Sequence, residues 1–165
     1  MPTTRLVKVV MVASLALFAL VVAFDNMVDY GSNYEFVRHA LSMDTTFPGN
    51  ALKWRAITQP TAWTIAYWLI ILTEAAVGLL LGFATLRLAT TLRADARLFN
   101  SAKKFVVLGV GLGFLLWFTG FMVVGGEWFA MWQSQIWNGQ QKAFEFIGMI
   151  GVVLVVLLLS DAATD

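Results

Sequence analysis

The sequence contains no cysteine and a single histidine, His39. The absence of cysteine excludes disulfides, iron–sulfur clusters, thiolate zinc sites and a cysteine nucleophile. A haem held by two histidines of this chain is excluded as well. A haem with one histidine and one methionine ligand is not expected, because His39 lies outside the long apolar segments. We therefore predict that the protein carries no cofactor.

Charged residues are scarce. They make up 13% of the chain, whereas hydrophobic residues make up 59% and the mean hydropathy is +0.77. Because about a quarter of the residues in a soluble domain are charged, this composition indicates a membrane protein. The net charge of +1 argues against a nucleic-acid partner attracted by bulk electrostatics.

Catalytic motifs are also missing. The sequence has no glycine-rich phosphate loop, no H-E-x-x-H or G-x-S-x-G motif, and no Ser-His-Asp arrangement. The glycines of the third apolar segment follow no strand, so they do not indicate a nucleotide site. We expect the protein not to be an enzyme.

Four segments have little or no charge over the roughly 20 residues needed to cross a bilayer. They cover about residues 6–24, 62–86, 105–124 and 144–160. We expect the first to be an uncleaved span rather than a signal peptide, since no small-x-small cleavage site precedes Asp25. The sequence thus predicts an all-α, integral membrane four-helix bundle in a single domain, residues 1–165.

The basic residues predict the orientation of this bundle. They concentrate before the first segment and in the connection 87–104, at Arg5, Lys8, Arg87, Arg93, Arg97, Lys103 and Lys104. The positive-inside rule then places both termini in the cytoplasm and the loops 25–61 and 125–143 outside. Within the first outer loop, Phe36, Val37, Ala40 and Leu41 share one helical face, so we expect short interfacial helices there.

Two Gly-x-x-x-Gly motifs are candidate helix-packing sites. One pairs Gly78 with Gly82 in the second segment, and the other pairs Gly109 with Gly113 in the third. Such motifs let helix backbones approach closely, so we expect the two motifs to meet in an antiparallel hairpin. Contact with a helix of another protein is the alternative, and glycine is also common in membrane spans.

Glu74 is the one acidic residue deep within an apolar segment. It lies about 18 Å along the second segment, which we expect to be near the middle of the hydrocarbon. A charge there costs about 2.5–3.5 kcal/mol or more, so we predict a protonated carboxyl bonded to Ser14, Thr73, Thr119 or the Trp117 N–H. Glu74 is then either a proton- or substrate-handling group or a neutral acid that holds helices or subunits together.

The predicted outer face is acidic and aromatic. Glu127, with Asp44, Glu35 and His39, is a candidate cation site, although a loop acid that is either solvated or salt-bridged to Arg55 or Lys53 fits better. We read Glu145 as the ion-pair partner of Lys142 or as an acid at the start of a helix. The aromatic and polar candidates of this face include Trp128, Trp132, Trp137 and Asn138, which fit either an aromatic belt or a stacking surface for a quinone, sugar or lipid head group.

Several segments together resemble an uncharacterised bacterial family of predicted small integral membrane proteins, domain of unknown function 2165. They are Asp29–Asn33, Leu41–Asn50, Tyr67–Ile70 with Glu74, Gly125–Trp128, Trp132–Ser134 and Trp137–Gln140. The resemblance covers nearly the whole chain and implies a four-span protein of the bacterial inner membrane. It implies no catalytic residues.

Two functions remain open from the sequence. The first is a non-enzymatic subunit that docks onto a larger membrane complex, with lipid and other membrane subunits as its partners. The alternative is a small proton-coupled transporter or carrier that works through Glu74. An enzyme or quinone-binding module that uses the outer tryptophans and glutamates has the least support.

Overall fold

The computed structural model describes residues 2–161, and these residues form helices and connections without a strand. The helices follow one another in a simple order along the chain. They are α1 (Pro2–Val28), α2 (Tyr30–Ser42), α3 (Pro60–Thr90), α4 (Ala96–Ala102), α5 (Lys104–Phe114), a π-helical segment (Leu115–Trp128) and α6 (Gln140–Leu158). Two single-turn 3₁₀ helices, Lys53–Arg55 and Met131–Gln133, lie in the connections.

Four stretches of helix are long and apolar enough to cross a membrane. They are Thr3–Val28, Pro60–Thr90, Ala96–Trp128 and Gln140–Leu158. Three of them extend past the predicted segments at both ends, because a helix does not have to stop where the hydrocarbon stops. The fourth helix ends at Leu158, slightly before the predicted limit at residue 160.

α3 has an apolar surface on both its inner and its outer face. Its inner face packs chiefly on α1 and next on α5. On its outer face, Leu72, Leu79 and Leu86 follow one another at heptad spacing and are 60%, 66% and 66% exposed. A stripe of large apolar side chains on the outside is unfavourable in water and favourable in lipid.

The bundle has two distinct ends. At the first, which we call the terminal end, Arg5 at the start of α1 donates hydrogen bonds to the carbonyls of Leu92 and Ala94, at 3.2 and 2.6 Å. Lys103 and the end of α6 meet there too, because the Lys103 ammonium donates to the Leu159 carbonyl at 2.9 Å. The opposite end, called the loop end, carries α2 and both 3₁₀ helices.

A buried ion cluster holds the terminal end together. The Asp161 carboxylate accepts from the Lys8 and Lys103 ammonium groups at 2.8 and 2.6 Å, and the Arg5 guanidinium lies 3.9 Å away. All four side chains are almost fully buried. Asp161 thus ties α1, the start of α5 and the end of α6 to one another.

Both Gly-x-x-x-Gly motifs lie at helix crossings within the chain, although their glycines do not contact one another directly. Gly78 faces α1, where an added Cβ would lie 2.6 Å from the Leu20 Cγ and 3.0 Å from the Leu20 nitrogen. Gly109 packs on Leu81, whereas Gly82 has nothing within 4 Å of an added Cβ. Gly113 lies next to Trp117. Leu81 lies between Gly78 and Gly82, so α5 crosses α3 at the first motif through Gly109, while Gly78 serves the crossing of α3 with α1.

The loop end contains a short helix where the sequence predicts one in the loop 25–61. α2 spans Tyr30–Ser42 and buries Val37 and Ala40. It ends at Met43, which is fully buried with a φ of 53°. The second short helix is the single turn Lys53–Arg55.

Candidate functional site

The candidate site lies where α1, α2 and α3 meet near the loop end, and its central residue is Glu74. Helical spacing on α3 places Tyr67, Ile71 and Glu74 on the face that packs against α1 and α2. Glu74 is only 3% exposed. Tyr67 and Leu81, one heptad before and after Glu74, are buried on the same inner face.

The hydrogen-bond partner of Glu74 is Asn26. The Asn26 side-chain amide donates to Glu74 Oε2 at 2.7 Å. This corrects the predicted set of partners: Ser14 and Thr73 instead donate to carbonyls one turn back in their own helices, at 2.9 and 2.6 Å. Thr119 is exposed.

Asn26 is itself fixed by two further contacts. Its side-chain oxygen accepts from the Asn33 amide at 2.7 Å, and its backbone carbonyl accepts from the Tyr67 hydroxyl at 2.8 Å. A chain of polar groups therefore runs from Asn33 on α2, through Asn26, to Glu74. The three residues lie on three different helices. Their hydrogen bonds therefore fix the orientation of the Glu74 carboxyl where these helices converge.

The contact with Asn26 fixes the position of Glu74 relative to α1. Asn26 lies near the end of α1 at Val28, and it is level with Glu74. Glu74 is at the middle of α3, so α3 extends farther toward the loop end than α1 does.

A cavity of ≈ 500 Å³ reaches Glu74 from the loop end. The polar residues along it include Asp25, Asn26, Ser32, Asn33, Tyr67, Glu74, Asn138 and Lys142. Aromatic side chains form much of the remaining wall, at Phe36, Trp117, Phe121, Trp137 and Phe146. A volume of this size fits a small molecule.

The one basic side chain along this cavity is already paired. The Lys142 ammonium lies 2.9 Å from the Glu145 carboxylate, which confirms the predicted ion pair. Asp25 is exposed toward the mouth of the cavity, and Glu74 lies at its inner end. The arrangement presents carboxyl groups and aromatic faces to whatever enters.

A second concavity, the side groove, lies on the flank of the bundle. It has a volume of ≈ 430 Å³ and is lined mainly by apolar residues of α3 and of the π-helical segment. Phe36, Val37, Ile70 and Phe121 line both the cavity and the side groove. The rings of Phe36 and Phe121 stack with centroids 6.1 Å apart. These side chains therefore form a thin wall between the two spaces.

The π-helical segment, which the sequence reading missed, shapes both spaces. In a π-helix the backbone bonds span five residues, as in the bond from the Phe129 N–H to the Val124 carbonyl at 3.0 Å. Gly126 leaves room for the Gln140 side chain, which lies where a Cβ would project. Trp117 packs edge-on against Phe146, with centroids 5.5 Å apart. Such segments are frequent at functional sites.

The predicted outer cation site is an ion-pair network instead. The ring of His39 lies 2.8 Å from Asp44, and Arg38 lies 2.7 Å from Glu35 and 3.7 Å from Asp44. Burial by itself raises the pKa of Asp44, but the hydrogen bond and charge of His39 and the charge of Arg38 hold it below its ordinary value. Within residues 2–161 no cluster has the ligands for a metal ion.

Glu127 lies apart from this network. It is exposed, as the solvated alternative requires, and within residues 2–161 it forms no ion pair with Arg55 or Lys53. Arg55 instead donates to the Trp128 carbonyl at 3.2 Å and lies 4.4 Å from the centre of the Trp128 ring. Trp54 stands on its other side at 5.3 Å.

The remaining outer-face candidates have separate surroundings. Trp132 meets Phe47 edge-on, with centroids 5.8 Å apart. Trp137 stacks on the His39 ring at 4.6 Å and lines the cavity. Asn138, next to it, accepts from the Gln140 backbone N–H at the start of α6, at 3.1 Å. Of the outer-face candidates, Trp137 and Asn138 belong to the Glu74 site.

Four long apolar helices, with a polar chain enclosed between three of the chain's helices, define a small multi-span integral membrane protein. The chain belongs to the family described as predicted small integral membrane protein, DUF2165, which matches residues 4–160. The family resemblance seen in the sequence is therefore confirmed. No match was found among the curated proteins or among the solved structures.

Proposed function

We propose that this protein is a small membrane carrier in which Glu74 binds and releases a proton as a solute occupies the cavity. The observation that carries the proposal is the cavity of ≈ 500 Å³ that joins the loop end to Glu74. Ionisable residues inside a membrane protein that face a cavity commonly mark a substrate or proton pathway. The carrier was the alternative from the sequence, and the geometry favours it.

The polar chain supports this choice. A transport path needs more than one polar residue, so Glu74 by itself does not form a path. Asn26 and Asn33 supply the next two groups toward the loop end, with both hydrogen bonds at 2.7 Å. Asp25 adds a second carboxyl nearer the mouth.

Proton flux in proteoliposomes tests the proposal. Vesicles that contain the purified chain and a trapped pH-sensitive dye are exposed in turn to neutral, cationic and anionic solutes. We expect solute-dependent proton movement with the wild type and none with Glu74→Gln, which keeps the shape of the side chain but not its exchangeable carboxyl proton. Glu127→Gln, a change at an exposed glutamate away from the cavity, is the control and should behave as the wild type. Equal fluxes in Glu74→Gln and the wild type would contradict the proposal.

The second candidate is a subunit that docks onto a larger membrane complex. The side groove favours it, because its lining is apolar and includes Gly120 and Gly125, which permit close approach of another helix. Leu115→Trp fills the groove, whereas Leu108→Trp changes an exposed leucine outside it. If a partner helix occupies the groove, native mass analysis after gentle extraction should show the complex lost in the first variant and kept in the second.

We also propose that the protein lies in a bacterial inner membrane with its terminal end in the cytoplasm and that it is not an enzyme. The basic residues at the terminal end support the orientation through the positive-inside rule. A labelling test with thiol reagents is straightforward, because the natural chain has no cysteine. A cysteine at Arg93 should react only with reagent on the cytoplasmic side.

A further inference from the structure

We propose that the solute bound beside Glu74 is a small organic cation, a substituted ammonium ion with apolar groups. This inference rests on the proposed function, since it names the class of solute that the same cavity takes. It is drawn from the charges along the cavity, the accessible oxygen of Glu74 and the aromatic wall.

The charges along the cavity are those of acids. Glu74 lies at the inner end and Asp25 toward the mouth, while Lys142 is held by Glu145 at 2.9 Å. An anion entering this space would meet two carboxyl groups and no unpaired base among the lining residues. A cation would instead supply the partner charge that Glu74 lacks.

Glu74 retains an acceptor for such a guest. Asn26 occupies Oε2 at 2.7 Å, and Oε1 has no hydrogen-bond donor among residues 2–161. A carboxylate oxygen that faces a cavity accepts a hydrogen bond from an ammonium group or pairs with its charge. The hydrogen bond from Asn33 orients the Asn26 amide toward Oε2 of Glu74. The carboxyl is thereby fixed, so Oε1 has a defined direction.

The aromatic side chains along the cavity can contact both the apolar groups and the charge of an organic cation. Trp117, Trp137, Phe121 and Phe146 all line the cavity. The faces of tryptophan and other aromatic rings attract substituted ammonium ions, and this attraction strengthens where water is excluded.

Binding of benzyltrimethylammonium to the full chain in detergent micelles tests the class of ligand. Neopentylbenzene has the same shape without the charge, and phenylacetate carries the opposite charge. We expect the cation to bind at least about tenfold more tightly than either compound, as measured by quenching of tryptophan fluorescence and by calorimetry. Equal binding of the neutral compound, or tighter binding of the anion, would overturn the proposal.

Variants locate the binding. Glu74→Gln should weaken binding of the cation about tenfold or more, whereas Glu74→Asp and the control Glu127→Gln should keep most of it. If Glu74→Gln does not fold, Asp25→Asn and Trp137→Leu at the mouth should each weaken binding, with melting curves to show that they are intact. Unchanged affinity in the folded variants that alter the cavity would overturn the proposal.

The carrier and the ligand class can fail separately. Proton flux driven only by a neutral or anionic solute, without binding of benzyltrimethylammonium, would reject the organic cation and leave the carrier standing. Binding of the cation that depends on Glu74 but moves no proton would reject the carrier and retain the cation site.

Discussion

The side-chain amide of Asn26 donates a 2.7 Å hydrogen bond to Oε2 of Glu74, which joins the end of α1 to the inner face of α3. The same Asn26 accepts from Asn33 on α2, so three helices share one polar contact point. This relationship makes Glu74 part of an oriented group rather than an isolated acid within a membrane helix.

Replacing Asn26 with leucine should destabilise the protein by about 1–2 kcal/mol. The change leaves Glu74 and Asn33 without their shared partner while keeping a side chain of similar volume. Unfolding in mixed detergent micelles measures the loss. Met27→Leu, at the exposed next residue, is the control and should unfold as the wild type does. An unchanged midpoint for Asn26→Leu would mean that the polar chain contributes nothing to stability.

The two glycines of one motif should respond in opposite ways to alanine. Gly78→Ala places a methyl group against both the side chain and the backbone of Leu20, so α1 and α3 must separate. Such overpacking costs about 1–3 kcal/mol. Gly82→Ala meets nothing within 4 Å and should leave stability unchanged or raise it by up to about 1 kcal/mol. Equal effects in thermal melts of the two variants would contradict the observed register.

Asp161→Asn should destabilise the terminal end by about 3 kcal/mol, because it leaves three buried cations without their carboxylate. Thermal unfolding of the purified chain measures the change, with Glu127→Gln as the exposed control. A melting temperature equal to that of the wild type would show that Asp161 does not hold α1, α5 and α6 together.

The same carboxylate predicts a dependence of stability on pH. Burial by itself raises the pKa of Asp161, but the hydrogen bonds and charges of Lys103 and Lys8 hold it below the ordinary value of 3.8. A lowered pKa in the folded state stabilises the protein above the unfolded pKa, and this stabilisation is lost as the pH falls through the folded pKa. The difference in stability between the wild type and Asp161→Asn should therefore be constant above about pH 5 and shrink below pH 4. A difference that does not change with pH would contradict this assignment.

The sequence was sufficient to predict the four helices and the interfacial α2, because hydropathy and helical spacing report burial directly. It underestimated the length of α1. The hydropathy pattern places the end of the span at Asp25, yet the Asp29 N–H still bonds to the Asp25 carbonyl at 2.8 Å. A charge at a membrane boundary marks the edge of the hydrocarbon, and the helix continues into the polar region.

That error concealed the partner of Glu74. Because residues beyond Asp25 were assigned to a loop, Asn26 was not considered as a neighbour of α3. The residue that each glycine contacts is hidden for a related reason: register between helices depends on where each begins, and spacing within one helix does not report it. The π-helical segment Leu115–Trp128 has no comparable signal in the hydropathy pattern.

Other site residues were identified individually but not in their groups. His39, Glu35 and Asp44 do come together, but Arg38 lies among them and neutralises the site that their ligand types indicated. The sequence leaves Trp137 open between an aromatic belt and a stacking surface, and the structure adds that it lines the cavity of Glu74. Side-chain type and spacing identify candidate site residues. The contacts between helices determine which of these residues lie together.

Access to position 74 from the loop end tests the central claim most directly. Because the chain has no cysteine, Glu74→Cys carries the only thiol, and Leu72→Cys places a thiol at nearly the same depth on the outer face of α3. A membrane-impermeant trimethylammonium methanethiosulfonate reagent is added to the loop-end side of oriented vesicles. We expect it to modify Glu74→Cys and to leave Leu72→Cys unmodified. No reaction at position 74, while a cysteine in place of Ser32 at the mouth reacts, would contradict an open path to Glu74.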